Sequence, residues 1–524
     1  MSAAIVIGTS LTPLLFFFLA LTYVVYSLTQ RWKHRRIIQF MSQIPGPPAL
    51  PIIGTLYIFL DQLRTMDVTK FLLNVVESFP ETSGHWQNFT PYIITTDREI
   101  VSALTSSRDN VSKPKEYESL KLISAGLFSS PGNLWRKTRR IVNPGFRTSV
   151  LDSFDENFSH HVQVFLDAVE ERVKTGEEFN VFRMVHAFTL DAVIDNMLGV
   201  RLDIQKEKTY RLSRCLEKAV DMFFERSFNP LLWPDIVYSL IGKRKIIDEV
   251  SAEMRRLAEE VLNERIAQRE RQRKENPTAE TPQYFMELLL NGIESGEVTK
   301  QQCVEEIIEL FLAGSLTSAI TISWIIKGAG MYPHLMEKVN EEVMSVCGNR
   351  KITYDDLSKL TFLDMIIKET LRHCTLPVIG REITSELKVN DKLTIPPGVN
   401  VIVPLFGLHH DPRYWEKPNE FYPEHFSPEN EGKRPKGTFL PFSNGPRNCI
   451  GNKYAMRAMK CLLANLALRF TVSTSEPVPK DIIHDLEYKI VFLICPKHGW
   501  NVRFHNRVQK SESPSSELNL ATPA

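Results

Sequence analysis

The 524-residue chain has no large imbalance of charge: 63 Lys and Arg stand against 62 Asp and Glu, a formal net charge of +1. That balance excludes a general nucleic-acid binder, which needs a basic footprint. No GxxxxGK[ST] or GxGxxG stretch occurs, so the sequence offers no phosphate-cradling loop for a nucleotide. The seven cysteines are odd in number and none stands in a CxxC pair. They argue against a disulfide framework or a zinc site and suit a reducing compartment. Gly/Ser-rich linkers are missing from the interior, which favours one large domain over several small ones. Charge is absent altogether from Ala3 to Leu28, no Lys or Arg precedes Arg31, and no acidic residue precedes Asp61.

That uncharged N-terminal run is rich in Leu, Phe, Val and Ile and long enough to span a bilayer. It lacks a basic n-region and a clear small-x-small cleavage site, which disfavours a cleaved signal peptide. Arg31-Trp32-Lys33-His34-Arg35-Arg36 follows it, so the positive-inside rule places the N-terminus in the lumen and the bulk of the chain in the cytosol. The same basic cluster can rest on anionic lipid headgroups. Next comes Ile44-Pro45-Gly46-Pro47-Pro48-Ala49-Leu50-Pro51, which reads as a semi-rigid spacer because proline fixes φ. The expected organisation is a transmembrane signal anchor over 1–30, a basic and proline-rich hinge over 31–54, a globular domain over 55–504 and a polar, disordered tail over 505–524.

The most informative stretch is Phe442-Ser443-Asn444-Gly445-Pro446-Arg447-Asn448-Cys449-Ile450-Gly451. It reads as a loop that presents one thiolate to a metal. Gly445 permits a tight turn, Arg447 places a cation beside the sulfur or an anionic ligand group, and Gly451 lets a flat group lie close to the backbone. A helix starting just after Cys449 would lower the thiol pKa. The plain alternative is a buried structural cysteine, as expected for the other six. The frame Phe-x-x-Gly-x-Arg-x-Cys-x-Gly resembles the haem-thiolate loop of the cytochromes P-450. In that family the cysteine is the axial ligand of haem iron and its electron donation favours O–O cleavage.

Other segments resemble the same family over nearly the whole chain after Pro45. Ala313-Gly314-Ser315-Leu316-Thr317-Ser318, inside an apolar helix pattern over Glu305 to Trp324, is similar to the family's oxygen-binding segment. The resemblance implies that Ala313 and Gly314 open a groove over the haem, and that Thr317 and Ser318 stand at the hydroxyl positions of a proton relay. Leu316 occupies the place of the expected acid, so Leu316→Asp is expected to raise the coupling of electron use to product. A threonine bonded back to its own i−4 carbonyl is the structural alternative for Thr317. Ala313 also stands where family 4 members often carry a glutamate esterified to haem, so the implied haem b is not covalently linked. Glu369 and Arg372, three apart on a helix beginning near Tyr354, resemble the family's Glu-x-x-Arg clamp. Its third member falls on His425 in Pro423-Glu424-His425-Phe426, where the family commonly has arginine, so charge there depends on pH. Trp135 and Arg139, four apart, resemble the pair that binds a haem propionate, with Arg447 acting likewise and Arg381 as a third candidate.

The expected fold is mostly α (α+β): the triangular helical domain of the family with small β-sheets. Lys392–Ile395 and Val399–Val403 read as a hairpin around Pro396-Pro397-Gly398, and Tyr488–Leu493 with Asn501–Phe504 as a second small sheet. Lys243 to Arg273 reads as a solvated helix. The function implied is a microsomal, family 4-like monooxygenase of the endoplasmic reticulum, similar to insect members. It would insert one oxygen atom of O2 into a C–H bond of a fatty acid, lipid, hydrocarbon or foreign apolar compound. The chain has no flavin or nicotinamide motif, so electrons must come from NADPH through a separate reductase, with cytochrome b5 as a second candidate donor. Arg136, Lys137 and Arg140, with Lys453, Arg457 and Lys460 at i, i+4, i+7, read either as a docking patch for an acidic donor or as a solvated face. By analogy with the family's recognition segments, substrate contacts fall on Ile307, Phe311, Val378, Ile379 and Phe492. Leu316 also admits a haem-thiolate peroxide isomerase, and a haem- or lipid-binding protein of low activity is the third class.

Overall fold

The computed structural model describes residues 32–50, 53–58, 81–87, 89–207, 210–278, 282–348, 350–485 and 487–507, with a few positions before 31 and between 73 and 79. The expected anchor and tail therefore fall almost wholly outside the described residues. The principal helices are Arg98–Ser106 (α1), Gly132–Val142 (α2), Asp155–Thr175 (α3), Phe182–Val193 (α4), Arg211–Phe228 (α5), Lys243–Glu275 (α6) and Phe285–Glu294 (α7). Lys300–Leu310 (α8), Thr317–Met331 (α9), Pro333–Cys347 (α10), Thr361–His373 (α11) and Asn452–Arg469 (α12) complete the set. The strands used below are Thr82–Gln87 (β1), Thr90–Thr95 (β2), Val378–Glu382 (β3), Asn400–Pro404 (β4), Phe470–Ser473 (β5), Tyr488–Val491 (β6), Leu493–Pro496 (β7) and Asn501–Asn506 (β8).

The central helix has legible ends. Thr299 and Gln302 close a capping box in front of α8, and Pro333 stops the helix after Tyr332. Between α8 and α9 the segment Phe311–Leu316 winds as a π-helix, a wider turn that often marks a functional site. The run Lys300–Met331 is the one described helix long and apolar enough to cross a membrane, with mean hydropathy 1.5, yet 72% of that window is buried in protein. It is the core helix. α4, α11, α12, β5, β7 and β8 all pack against α9.

The strands exist where the alternation placed them, but they pair differently. Asn400–Pro404 does not form a hairpin with Thr394–Ile395; it lies parallel to β2 and antiparallel to β3, in a sheet ordered β1-β2-β4-β3. Thr394–Ile395 pairs instead with Leu387–Lys388. Burial is the physical reason: Val401 and Val403 sit in a second apolar cluster with Ile93, Ile379 and Leu405 that a two-stranded hairpin could not enclose. Likewise β6 pairs with β7 while β8 pairs with β5, so the late strands form two sheets. The helix expected from Tyr354 breaks at Leu360 into Tyr354–Lys359 and α11. The proline-rich segment runs along β1: Gly84 N donates to Pro45 O at 2.8 Å, and a Cβ on Gly46 would meet Gly84 O at 2.1 Å.

Several histidines are held neutral in this interior, His186 and His410 among them. Burial lowers His85 to about 4. Burial, with Arg372 next and Glu369 opposing, lowers His373 to about 4. Burial also lowers His409 to about 3. Below an unfolded-state value of about 6.5, the unfolded chain binds protons that the native chain refuses, so stability falls as pH drops from there toward 4. Thermal unfolding between about pH 7 and pH 4.5 should therefore show a continuously falling Tm; a Tm flat across that window would contradict this assignment.

Candidate active site

The thiol loop is shaped by backbone constraints. Cys449 N donates to Phe442 O at 2.8 Å and Asn448 N to Gly445 O at 3.1 Å. Ser443 and Gly445 both adopt positive φ, 57° and 67°. A Cβ on Gly445 would stand 2.0 Å from Thr105 O at the end of α1, so only glycine fits. At Gly451 the surroundings are the reverse: a Cβ would meet nothing nearer than Phe146 at 4.0 Å. The protein leaves room over that residue, as a cradle for a flat group would. Cys449 is itself exposed although its neighbours are only partly so. Although its surface is accessible, the thiol is enclosed by protein, and that desolvation pushes it up, opposed by a hydrogen bond from the Gly451 N–H and by the charge of Arg139. The expected lowering by the helix therefore does not prevail in the protein alone, because desolvation outweighs one N–H and one cation.

A second set of exposed atoms lies within the buried central helix. Ala313 is exposed and Gly314 and Thr317 are half-exposed, while Phe311, Leu312, Ser315, Leu316 and Ser318 are buried. This stripe is the accessible part of a helix that is otherwise buried in the core. Thr317 Oγ1 donates to Ala313 O at 2.9 Å, the plain i−4 bond, while remaining on that face. Ser318 faces the core and does not join it. Gly314 serves packing as well as openness, since its Cβ would meet Val193 of α4 at 2.8 Å. Leu316 belongs to the main apolar core.

Cations crowd one side. Arg447 donates from Nε to Val111 O (3.1 Å), from Nη1 to Leu127 O (3.1 Å) and from Nη2 to Ser130 O (2.7 Å). Its guanidinium lies 4.8 Å from the centre of the Trp135 ring. Arg139 grips Asn448, beside the thiol, through its carbonyl and its Oδ1, both at 2.9 Å. Arg381 on β3 is buried and donates to Gly380 O at 2.8 Å. Burial, then Arg381, pushes Arg447 down to about 9. Lys113, which spacing did not reveal, is held well below its usual value by burial and then by Arg447 and Arg381. Its ammonium rests over the rings of Phe128 (3.1 Å) and Tyr117 (4.5 Å). Arg381 is buried and Arg447 and Lys113 half-buried; cations that depress one another, with Glu309 opposing only in part, are an environment a dianionic ligand relieves.

Beneath the loop lies the clamp. Arg372 donates to both oxygens of Glu369 (2.7 and 3.0 Å), and both residues are fully buried. Its other donors hold the carbonyls of His409, Pro418 and Glu420 at 2.7 to 3.0 Å. His425 takes the third place, with Nδ1 3.2 Å from Glu369 Oε2 and Nε2 bonded to the Glu416 carbonyl. His409 ties the clamp to the thiol loop: Leu440 N donates to its Nε2 at 2.9 Å, and its Nδ1 faces Arg372 O at 3.3 Å.

The structure separates the remaining sequence candidates. Val378 is half-buried, but Ile379 points into the sheet cluster and Ile307 and Phe311 are fully buried. Phe492, at a positive φ of 65°, packs edge-on to Phe224 and 5.7 Å from Phe128, a ring contact across three segments that no local pattern announces. The i, i+4, i+7 basic stripe is no open patch. Arg457 is buried, paired with Asp152 and Asp155 and stacked on Tyr354, and Lys460 pairs with Asp364. Arg136, Lys137, Arg140 and Lys453 remain exposed.

Two variants test this geometry. Glu369→Ala strands Arg372 as a buried, uncompensated cation and should cost about 3–5 kcal/mol, while the double variant Glu369→Met/Arg372→Leu should cost less than the single one. Urea unfolding measures both. Leu316→Asp places a carboxylate in apolar packing and should lower stability by about 3 kcal/mol or more instead of improving coupling; an undiminished urea midpoint would contradict the burial of that side chain.

The cytochrome P450 family model matches residues 44–498. Cytochrome P450 4X1 of Homo sapiens is 28% identical over 475 residues, covering 89% of this chain and 91% of that protein. Cytochrome P450 4V2 of Mus musculus is 28% identical over 466 residues, covering 86% and 87%. Probable cytochrome P450 4p3 of Drosophila melanogaster is 29% identical over 402 residues, covering 74% and 77%. With the mostly helical fold, the thiol loop and the clamp beneath it, these matches identify the chain as a family 4-like member of the cytochrome P450 family, a haem-thiolate monooxygenase.

Proposed function

We propose that this protein hydroxylates a C–H bond of an apolar lipid or related compound, at a cytosolic domain anchored to the endoplasmic reticulum and fed by an NADPH-dependent reductase. The observation that carries the reading is Cys449, exposed within an enclosed loop, together with an exposed stripe of Ala313, Gly314 and Thr317 on an otherwise buried helix. The residues fit haem. Cys449 would supply the axial thiolate, Gly451 leaves room beside it, and Arg381, Arg447 and Lys113 are cations suited to two propionates. Haem so bound supplies dioxygen activation, with the thiolate favouring O–O cleavage. Arg139 positions Asn448 and so the cysteine beside it; Trp135 backs the Arg447 guanidinium. Thr317 holds a hydroxyl proton on the accessible stripe, presently donated to Ala313 O. Ala313 has no carboxylate with which to form an ester, which supports non-covalent haem.

Membrane association finds support on the surface. Leu231, Ile236, Leu240 and Ile241 are 64%, 73%, 83% and 51% exposed around the short helix Asp235–Leu240. With the uncharged run over 3–28 they support an anchor at 1–30, the hinge at 31–54, a catalytic domain at 55–504 and a polar tail beyond. The exposed Arg136, Lys137, Arg140 and Lys453 are the residues left for an acidic donor, a reductase or cytochrome b5. A second reading, a peroxide isomerase needing no proton delivery, is favoured only by Leu316.

Purified protein with reductase and NADPH, screened against a broad lipid panel, should give hydroxylated product that disappears without reductase; product from hydroperoxide alone would select the isomerase. Cys449→Ser should abolish the thiolate-type carbon monoxide difference band, and its retention would remove Cys449 as ligand.

A further inference from the structure

The π-turned segment is bonded to a buried chain of side chains that reaches the surface through two other helices. His186, fully buried on α4, approaches Ser315 Oγ with Nε2 at 3.1 Å. Its Nδ1 meets Ser213 Oγ of α5 at 2.5 Å, and Ser213 Oγ donates to Glu217 Oε1 at 3.1 Å. Ser315 and Ser213 have no accessible surface, whereas the Glu217 side chain is 24% exposed. Ser315 Oγ also bonds the carbonyl of Phe311, the first residue of the π-turn. The ring is wedged on its other side by Phe182, itself stacked on Trp500. α4 approaches so closely that Gly314 has no room for a methyl group.

Proton counting links the ends of this chain. Ser315 has one hydroxyl proton. It can bond Phe311 O only while His186 Nε2 carries a proton and donates to Ser315. Nδ1 then either carries a second proton, donating to Ser213 while Ser213 donates to Glu217, or is bare and takes the Ser213 proton, leaving Glu217 without it. A neutral ring has one N–H, so either Ser213 gives its proton to Glu217 or Ser315 gives its proton to Phe311 O, but not both; Glu217 thereby competes with Phe311 O for where Ser315 points. Burial lowers His186 and Glu217 opposes that lowering. Among the described residues, Glu217 and Asp221 from α5 and Arg183 from α4 are charged groups that bear on the pair, Asp221 and Arg183 through Glu217.

We infer that Glu217, Ser213 and His186 form a positioning relay that sets Ser315 and the π-turn, and through it the Ala313 carbonyl and Thr317 hydroxyl on the accessible stripe. In a chain whose position 316 is an apolar core residue, this relay is what holds the oxygen-side geometry. The inference rests on the monooxygenase reading for its consequence in turnover, but not for its structural test.

Hydrogen–deuterium exchange of the peptide spanning 311–317 in the haem-loaded, substrate-free protein reads the relay without turnover. Ser315→Ala should speed exchange there by about fivefold or more, the loss of roughly one hydrogen bond, whereas Glu217→Gln, which frees the Ser213 proton for Nδ1 and leaves Ser315 on Phe311 O, should slow it. In 15N-histidine-labelled protein, Glu217→Gln should shift the His186 ring toward the tautomer protonated at Nε2. With reductase, Ser315→Ala should release more peroxide per NADPH at unchanged KM. Unchanged exchange and unchanged His186 resonances in Glu217→Gln, with the fold retained by Tm, would overturn the relay; a protein that fails to turn over while exchange responds would instead overturn the monooxygenase reading.

Discussion

Everything around the thiol loop hangs on the buried ion pair of Glu369 and Arg372. Two opposite charges with no access to water are stable only when nearly every donor and acceptor is satisfied. Here Arg372 spends its remaining donors on three backbone carbonyls, of His409, Pro418 and Glu420. Glu369 also accepts from Tyr422 N and His425. One helix turn thereby fixes the long irregular stretch from 409 to 426, and His409 carries that order to Leu440, two residues before Phe442. A loop with positive φ at Ser443 and Gly445 would not keep its shape without such a base.

The loop and the central helix are then two independently built walls. One offers sulfur and an uncontested space over Gly451; the other offers an apolar, hydroxyl-bearing stripe made by a π-turn. The protein also gathers Arg381, Arg447 and Lys113, whose mutual repulsion in a desolvated place Glu309 offsets only in part and a further anion would relieve. Charge, space and ligand chemistry thus agree on one kind of guest, a flat dianion bound through a thiolate. The family match supplies the same answer from the sequence side.

The sequence disclosed what is local. Cys449, Gly445 and the Glu369–Arg372 spacing were legible because their chemistry depends on near neighbours, and the helix from Lys243 was legible from its period. What failed was long-range. Alternation over 399–403 marks a strand but not its partner, and β2, three hundred residues away, proved to be one of them. Spacing put Lys453, Arg457 and Lys460 on one face, but not what that face meets; α3 brings Asp155 against it, and Asp152 lies just before that helix. Leu316 was legible as a missing acid, not as a core residue. His186 and Lys113 had no signal at all, since a lone histidine in an apolar helix and a lone lysine in a loop are ordinary until the fold gives them partners.

The most direct measurement of the central claim is the fate of labelled dioxygen. Protein supplied with reductase, NADPH and isotopically labelled O2 should place one labelled atom in the hydroxylated product and the other in water. Product that contains no label, or whose oxygen derives from an added peroxide, would contradict a monooxygenase built on Cys449.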